Sequence, residues 1–572
     1  MMITNNDHDE TKETALIFDF EKEILKKDCF TFSVTTSQNS GEKMTKFSHN
    51  FQVVFVLWNI IKAGIGDPVS DQLTTWALQH PGQPPFCTDS NGIPYPSLIA
   101  TLAIGPDGPP LLQDRSLIER TTSFNRERIP ERAAHALGFG AHGTFTVTHD
   151  VSRYTKAKFL NGVGKTTPIF LRFSGTIGDL GFPDTLRDSR GFAIKFYTEE
   201  GNFDMVGNQL EIFGVRDAIL FHDMIRSRKR NAQTGLIDPM TSWDFNQLRP
   251  EVTHHLLKSF SDISTPGNLR MINGSGVHTF QLVNERNEAI FCKFHFISHQ
   301  KFELMSNAQT IKLAGSDPSY YRRDLYNAIA RKQYPRWTMA LQVATAAQAE
   351  SYRWDYLDIT KNWRVEDFPL IPVGILELNR NVRDFYSESE QVAMSPANLV
   401  PGIEPSADRM LHARMFSYAD AQRYRVGPNG NQLPINKPLN QVASYERDGP
   451  MCFGANGDGG PNYFPNSFNG PIINPAAKQK PFHVNGDVVR ADTRDADNFS
   501  QAKLFVEKDL TPDARHRLVT NLAGSLKKIT PELRELVYRH NFDPVSPSFG
   551  MEVRLAVQTA LKTPDPVVQP RT

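Results

Sequence analysis

The chain has 572 residues, enough for a large core, and 63 basic and 63 acidic residues, so its formal net charge is zero. A balanced charge argues against a dedicated nucleic-acid binder, because such binding depends on neutralising phosphates, and we predict no nucleic-acid partner. Four cysteines occur without CxxC or CxxCH spacing, so a disulfide framework, a zinc site and covalently attached c-type haem are all unsupported.

Residues 1–83 form an N-terminal extension that is mostly polar over residues 1–50. The apolar run Phe51–Ile61 is too short to span a bilayer comfortably, so we expect no stable membrane insertion. One interpretation is a buried or amphipathic segment, or a gene-model artefact. The other takes Met44 as the start, with the run as a secretory signal and small residues at 64–66 as the cleavage site. We then expect a secreted protein, and otherwise a peroxisomal or cytoplasmic one.

Residues 84–429 differ in composition from the N-terminal extension, since Gly and Pro separate short runs of β-branched and aromatic residues. Such runs predict a mostly antiparallel sheet or barrel. The predicted strands are Gly143–His149, Pro168–Phe173, Gly191–Tyr197, Val277–Asn284 and Val373–Asn379. Helical spacing is found at Asp217–Ser227, Tyr320–Lys332 and Leu411–Gln422.

Residues 430–490 are rich in Asn, Gly and Pro and lack periodicity. A loop of this length usually wraps something, often a neighbouring subunit. Residues 491–572 are helical again, with amphipathic spacing at Thr511–Leu526, Thr530–His540 and Ser548–Leu561. If the protein is secreted, the sequon Asn498-Phe-Ser500 is a candidate for glycosylation.

A set of motifs occurs in order along the chain. They are Arg126–His135, Val147–Asp150, Arg172–Ser174, Asp184–Ala193, Lys195–Tyr197, Val206–Asn208, Trp243–Phe245, His278–Phe280, Pro369–Gly374, Arg414–Tyr418 and Gly449–Met451. Together they resemble the haem catalases, of the shorter animal-like kind, over roughly 84–560. The resemblance implies an α+β fold: an antiparallel β-barrel haem core, a wrapping loop and a C-terminal helical region. It also implies haem b, a hydrogen peroxide substrate, a homotetramer and a role in the oxidative stress response.

The resemblance places the axial haem ligand, and so the metal-binding residue, at Tyr418. A phenol has an ordinary pKa of about 10 and must lose its proton to bind Fe(III) strongly. Arg414 precedes Tyr418 by four residues, on the same face of a helix. We therefore expect its guanidinium to hydrogen-bond the phenolate and to favour the charged form.

His135 matches the distal catalytic histidine, which moves a proton between the two oxygens of peroxide. Asn208 matches the distal amide, which cannot titrate and would orient peroxide by hydrogen bonding. Ser174 would hold the other nitrogen of His135 and fix its tautomer.

Further residues match positions that surround the cofactor. Arg132, Arg172 and Arg425 match arginines that pair with haem propionates, a geometry that suits the planar guanidinium. Phe213 and Phe221 match aromatic residues that pack near the haem.

The sequence departs from the family at several positions near the pocket. Ala134 replaces a valine beside His135, which loosens the pocket. Gly175-Thr176 replaces Thr-Val, which predicts a wider or more polar channel. Gln209-Leu-Glu211 replaces Asn-Thr-Pro after Asn208, which introduces a carboxylate near the pocket.

The surface site for NADPH departs further. Ile263 stands where the family has an arginine that serves the nucleotide phosphate, Ile297 where it has a lysine, and Val365 where it has a histidine. Three matching residues remain, namely His254, Asn273 and Trp363. We therefore predict weak NADPH binding or none.

The sequence thus predicts a catalase that disproportionates hydrogen peroxide to water and dioxygen. Two alternatives stay open at this point. One is a catalase-related haem enzyme that rearranges fatty-acid hydroperoxides. The other is a degenerate haem-binding protein without enzymatic activity, which is disfavoured because His135, Asn208, Arg414 and Tyr418 are all present.

Overall fold

The structure is a computed structural model that describes residues 67–563 apart from 453 and 484. The apolar run Phe51–Ile61 and Met44 lie outside the described residues. The chain divides into two units, Met1–Pro81 and Gly82–Thr572. In the described part of the first unit, helix α1 (Gln72–Gln79) has no buried residue.

The second unit is built on an antiparallel sheet. Its strands are β1 (Gly138–Val147), β2 (Thr166–Gly175), β3 (Arg190–Thr198), β4 (Gly201–Asn208), β5 (Gly274–Ser275), β6 (Phe280–Val283), β7 (Ala289–Ser298), β8 (Arg336–Ala344), β9 (Ile371–Asn381) and β10 (Ile403–Pro405). Eight of them close into a barrel in the order β1-β2-β3-β4-β5-β7-β8-β9, because β9 pairs back onto β1. Strands β6 and β10 extend the sheet outward from β7. The predicted antiparallel barrel is confirmed.

Aromatic side chains fill the core of the barrel. Phe145, Phe173, Phe196 and Phe294 are completely buried, as is Trp337. Each such side chain contributes about 1.5–3 kcal/mol through burial. The phenylalanine-rich runs of the sequence therefore supply the apolar area that holds the strands together.

Helices cover the barrel and form the C-terminal region. They are α2 (Arg115–Phe124), α3 (Phe221–Arg226), α4 (Pro239–Leu248), α5 (Thr253–Phe260), α6 (Asn307–Ser316), α7 (Tyr320–Ala330), α8 (Ala346–Glu350), α9 (Arg409–Val426), α10 (Ser500–Leu504), α11 (Pro512–Leu526), α12 (Pro531–Val537) and α13 (Pro547–Lys562). Helices α10 to α13 share an apolar cluster with α4 and α5, which confirms the predicted helical C-terminal region. No helix among the described residues is long and apolar enough to cross a membrane.

The predicted strand Val277–Asn284 is shorter in the structure. Strand β6 begins only at Phe280, because Val277 has a φ of +65° and left-handed backbone cannot continue a strand. In contrast, the pattern at Leu411–Gln422 marks a longer helix, α9, whose N-terminus is capped by Asp408.

Within residues 430–490 the described chain forms only short 3-10 turns, at Gly430–Gln432, Gly449–Met451 and Pro475–Ala477. Many of its apolar side chains are exposed, including Phe482 and Ile472, the latter 87% exposed. This segment therefore buries little of its own apolar surface.

Asn498 is buried in this structure. Its Oδ1 accepts a hydrogen bond from Arg216 Nη1 at 2.6 Å, and its Nδ2 donates to the Arg494 carbonyl at 2.6 Å. The Asn498 side chain is therefore packed and hydrogen-bonded within the folded protein, and glycosylation at this sequon stays a prediction that depends on secretion.

Candidate active site

One end of the barrel carries a row of directly paired residues on adjacent strands. Ser174 on β2 pairs with Gly191 on β3, and Gly191 pairs with Asn208 on β4. Directly opposed residues project from the same face of a sheet, so Ser174 and Asn208 flank Gly191 on one face. Strands lie about 4.8 Å apart, and the missing side chain of Gly191 leaves a gap between the two.

The imidazole of His135 lies at this gap. Its Nδ1 is 2.9 Å from the Ser174 Oγ, so the predicted contact between the two is present. A Cβ added at Gly191 would collide with that Oγ and lie 2.8 Å from the His135 Nδ1. The close approach therefore requires glycine.

The backbone of His135 is held in an unusual conformation. Its φ is +63°, which is uncommon for a residue with a side chain. Its amide donates to the Thr176 carbonyl at 3.2 Å, and its carbonyl accepts from Arg172 Nη2 at 3.0 Å. Strained residues persist where the surrounding structure over-determines them, and they cluster at functional sites.

Two polar atoms beside Gly191 are free to bind a ligand. The Asn208 Oδ1 accepts a long hydrogen bond of 3.4 Å from the Leu210 amide. The Asn208 Nδ2 and the His135 Nε2 make no hydrogen bond with any residue that the structure describes. Burial is the main reason that the pKa of His135 falls to about 3, and the nearby arginines lower it further. The imidazole is therefore neutral near pH 7 and can accept a proton.

Helix α9 carries Arg414, Tyr418 and Arg425, separated by four and seven residues. These spacings place the three side chains on one face of the helix. Arg414 Nη2 donates to the Tyr418 hydroxyl oxygen at 2.8 Å, as predicted, and to the Val206 carbonyl on β4 at 3.0 Å. The phenol oxygen therefore lies against a fixed positive charge.

His278 extends this contact into the protein. Its Nε2 lies 2.7 Å from Arg414 Nη1, and its Nδ1 lies 2.7 Å from the Asp408 Oδ2. Guanidinium only donates and carboxylate only accepts, so Nδ1 carries the proton and Nε2 accepts. Burial lowers the pKa of His278 despite the neighbouring carboxylate. Burial alone would raise the pKa of Asp408, but His278 and the Leu411 amide outweigh it and the net pKa is lowered.

His278 stands in one of the ordered motifs without a predicted role, and Asp408 was not predicted from the sequence. A local signal existed for Asp408, since aspartate before an amphipathic run is typical of a helix N-cap. Its contact with a histidine separated by 130 residues has no local signature.

The three predicted propionate-binding arginines are buried or half-buried. Arg132 donates to the carbonyls of Glu390 at 3.1 Å and Val392 at 3.0 Å, and Arg425 donates to the same two carbonyls. Arg172 donates to the carbonyls of His135 and Ala136, and its buried Nε has no partner among the described residues.

This arginine group fits an anionic cofactor. Burial is the first cause that lowers the pKa of Arg132 to about 10 and of Arg425 to about 9, and it also lowers the pKa of Arg172. Glu390 is the carboxylate that opposes this effect at all three. Three guanidiniums with a single nearby carboxylate retain a net positive charge, which suits the two propionates of a haem.

Phe213 and Phe221 pack together, with ring centroids 6.0 Å apart. With Ala134 they pack against an apolar cluster that contains Val277 and Met410. Ala134 therefore lies in the same apolar cluster as the two rings, and the looser pocket that the sequence suggests stays a prediction.

At the other two positions where the sequence departs from the family, Thr176 and Glu211, the polar side chains contact nearby residues of the protein. The Thr176 hydroxyl donates to the Ser189 carbonyl at 2.8 Å, so its polarity is satisfied within the protein. The Glu211 carboxylate accepts from Asn362 at 3.1 Å and lies 3.9 Å from the Lys258 ammonium. Neither partner belongs to the predicted site.

Residues at the predicted NADPH site contact other residues of the same chain. The Asp262 carboxylate pairs with Arg517 on α11, at 2.6 Å from its Nη2. Of the three matching residues, His254 and Trp363 are buried, and the Asn273 Oδ1 accepts from the Ser298 amide at 2.9 Å.

Comparison with known proteins identifies the family. Residues 88–470 match the family described as Catalase, and residues 491–557 match the one described as Catalase-related immune-responsive. The chain is 48% identical to a catalase of Glandirana rugosa, over 85% of this chain and 92% of that protein. It is 46% identical to a catalase of Drosophila melanogaster, over 85% of this chain and 96% of that protein.

Solved structures agree with this relationship. A bacterial catalase superposes with a TM-score of 0.80 at 39% identity, covering 84% of this chain and 97% of that one. Catalase A from Saccharomyces cerevisiae superposes with a TM-score of 0.80 at 36% identity, covering 82% of this chain and 99% of that one. The ordered motifs, the closed barrel and these relatives lead to one conclusion: the chain belongs to the catalase family.

Proposed function

We propose that this protein is a haem catalase that converts two molecules of hydrogen peroxide to two of water and one of dioxygen, as part of the oxidative stress response. The observation that carries the proposal is the hydrogen-bonded series from Tyr418 through Arg414 and His278 to Asp408. A phenol held against a guanidinium is suited to bind ferric iron as a phenolate. When bound, haem b supplies a redox-active iron that can accept and return the electrons exchanged between two peroxide molecules.

On the distal side, the chain's own residues handle protons. The neutral His135 accepts a proton from one oxygen of peroxide at Nε2 and returns it to the other. Ser174 holds Nδ1 at 2.9 Å, which keeps the ring oriented during the transfer. The free amide of Asn208 donates a hydrogen bond that orients peroxide.

On the proximal side, the residues hold charge. The Arg414 guanidinium stabilises the Tyr418 phenolate, while the Asp408 carboxylate and His278 keep that guanidinium in place. Arg132, Arg172 and Arg425 would hold the propionates of the haem.

An absorption spectrum and an oxygen-electrode assay of the purified holoprotein test this proposal. We expect a ferric tyrosinate haem spectrum and oxygen evolution from hydrogen peroxide. The same preparation should consume a fatty-acid hydroperoxide far more slowly. Lipid hydroperoxide consumption without oxygen evolution would contradict the proposal and favour the rearranging enzyme, and haem binding without either reaction would favour the degenerate protein.

We also propose a homotetramer. The exposed apolar side chains of residues 430–490, among them Ile472 and Phe482, need a partner surface, and a second copy of the chain supplies one. Sedimentation analysis should show four chains per particle, and Ile472→Asp combined with Phe482→Asp should reduce that number. A wild-type monomer would contradict this part of the proposal.

We propose further that NADPH binds weakly or not at all. Each missing cation, at Ile263 and Ile297, removes a charge-assisted bond of roughly 1.5–3 kcal/mol, so binding weakens by about two to four powers of ten. Calorimetry should find no binding at micromolar NADPH, and Ile263→Arg with Ile297→Lys should restore affinity by about a hundredfold or more. Micromolar binding by the wild type would overturn this statement.

The compartment depends on the start site. Translation from Met44 gives a secreted protein with a mature N-terminus near Asp67, whereas an intact N-terminal extension gives a peroxisomal or cytoplasmic one. Mass spectrometry of the N-terminal peptide from the native source distinguishes the two. Peptides from residues 1–43 on the mature protein would exclude secretion by this route.

A further inference from the structure

The turn that precedes His278 is strained. Val277 has a φ of +65°, a true outlier for a β-branched residue. The His278 amide donates to the Gly276 carbonyl at 2.7 Å, which closes a tight turn with Val277 at its centre. Turns of this kind with positive φ are rare and strained. The strain therefore lies next to the histidine that joins Arg414 to Asp408.

Besides the side-chain contacts of His278, three hydrogen bonds attach Gly276 and Val277 to neighbouring residues. The Gly276 amide donates to the Phe294 carbonyl at 2.9 Å, and the Val277 amide donates to the Ser275 Oγ at 3.0 Å. The Val277 carbonyl accepts from the Lys293 Nζ at 2.9 Å. Only the last of these bonds involves a full charge, and it acts on the strained residue itself.

Lys293 on β7 is an unusual residue, because it is a buried lysine on the outer face of the barrel, opposite the core residues Cys292 and Phe294. Its side chain is buried, and the residue is 2% exposed. Its ammonium forms no ion pair within the described chain and lies 5.8 Å from the centre of the Trp363 ring. Burial lowers the pKa of Lys293 to about 8, against the opposing effect of Asp408 and Glu211.

Another buried lysine shows the ordinary arrangement. Lys195 on β3 is 1% exposed and binds both carboxylate oxygens of Asp204, at 2.8 and 2.9 Å. A buried ammonium without a contacting carboxylate is costly. The ion pair with Asp204 therefore accounts for Lys195, whereas the one side-chain hydrogen bond that Lys293 makes among the described residues is the bond to the Val277 carbonyl.

We propose that Lys293 is a positioning residue for the proximal side of the site. Its ammonium holds the Val277 carbonyl and so keeps the next residue, His278, in register with Asp408 and Arg414. The inference rests on the proposed function, because the position of Arg414 matters chemically only if Tyr418 binds ferric haem.

The holoprotein with Lys293→Met tests this role. Without the ammonium the strained turn relaxes, His278 moves, and Arg414 hydrogen-bonds the phenolate less well. A phenolate with weaker hydrogen bonding donates more strongly to ferric iron. We expect the ferric-to-ferrous equilibrium at a fixed ambient potential to shift about tenfold toward ferric, about the effect of one lost hydrogen bond, with a change in the absorption spectrum.

A second pair of variants, made in a protein that carries Val277→Gly, distinguishes a positioning role of Lys293 from a role in packing alone. Glycine adopts positive φ without strain, so Val277→Gly removes the need for a clamp. In that background, Lys293→Met should shift the equilibrium less than about threefold. Equal shifts in both backgrounds would overturn the proposal, because the two residues would then act independently.

Two more variants guard against a general folding defect. Lys195→Met should lower the midpoint of unfolding yet leave the ferric-to-ferrous equilibrium unchanged. Lys293→Gln retains an N–H donor and should give a shift smaller than that expected for Lys293→Met. It replaces Lys293→Met in the test if the methionine variant does not fold. No shift in any folded Lys293 variant would refute the role of Lys293, whereas a wild-type protein without a tyrosinate haem spectrum would refute the proposed function instead.

Discussion

The two sides of the site are held by different physical means. His135 is positioned by strand register, by the missing side chain at Gly191 and by an uncharged hydrogen bond to Ser174. Tyr418 is positioned by a helix and by a series of charged partners that ends at Asp408. Under the proposed function, the group that exchanges a proton is thus fixed mainly by backbone geometry, whereas the group that stays anionic is fixed by charged partners.

Strand β4 connects the two sides. Its Val206 carbonyl accepts from Arg414, and Asn208 follows two residues later. Residues two apart on a strand share a face. A disturbance of one side can therefore reach the other through this strand, although the two sides use different partners and their variants should have separable effects.

The largest effect is expected on the charged side. Tyr418→Phe removes the ligand oxygen, so the purified protein should contain little haem, measured as the haem-to-protein ratio. Tyr424→Phe is the matched control, since Tyr424 lies on the same helix and is 78% exposed. A Tyr418→Phe protein with wild-type haem content and spectrum would contradict the assignment.

The next largest effect is expected on the uncharged side. His135→Ala should keep its haem but lose about 10²–10⁴ in oxygen evolution, because proton transfer is lost. Asn208→Ala should lose about ten- to a hundredfold, the effect of a hydrogen bond to a charge-developing group. The exposed His149 gives the control, His149→Ala. An Asn208→Ala variant that is worse than His135→Ala would reverse the two roles.

A smaller effect on the charged side comes from Asp408→Asn. Asparagine caps a helix as well as aspartate does, so the variant retains helix α9 but removes the negative charge opposite His278. We expect haem to dissociate roughly tenfold faster, since one charge-assisted bond is weakened. Transfer of haem to an excess of apomyoglobin measures the rate. A rate equal to that of the wild type would show that charge is not what holds this side.

The smallest effect concerns acid stability. The pKa of His135 and of His255 is lowered to about 3, in both cases chiefly by burial, whereas an unfolded histidine titrates near 6.5. Below pH 6.5 the unfolded chain therefore binds protons that the folded chain cannot, and stability falls as pH decreases. Each such histidine contributes about 1.4 kcal/mol per pH unit.

Denaturant titrations at pH 7 and pH 5.5 measure this loss. His255→Gln should reduce the pH dependence by about one histidine's share, since glutamine does not titrate. His516→Gln is the control, because His516 is exposed. A pH dependence that His255→Gln leaves unchanged would show that burial of this ring does not govern acid stability.

The sequence by itself predicted the barrel, the helical C-terminal region and two contacts that the structure contains, Arg414 with Tyr418 and His135 with Ser174. Short runs of β-branched and aromatic residues bounded by Gly and Pro predict strands, because the pattern lies within a few consecutive residues of the sequence. The contact between Arg414 and Tyr418 could be predicted because residues four apart on a helix lie on the same face. The same logic could not find the short strand β5 (Gly274–Ser275), which is too brief to carry a period.

Only the tertiary structure decided which distant residues complete the site. Asp408 and His278 are separated by 130 residues, and Lys293 reaches Val277 from a neighbouring strand. The free energy of such contacts depends on burial and on distances of a few ångströms, and neither is encoded in local spacing. The left-handed conformation of Val277 also contradicts its β propensity, and it is stable only because its surroundings impose it.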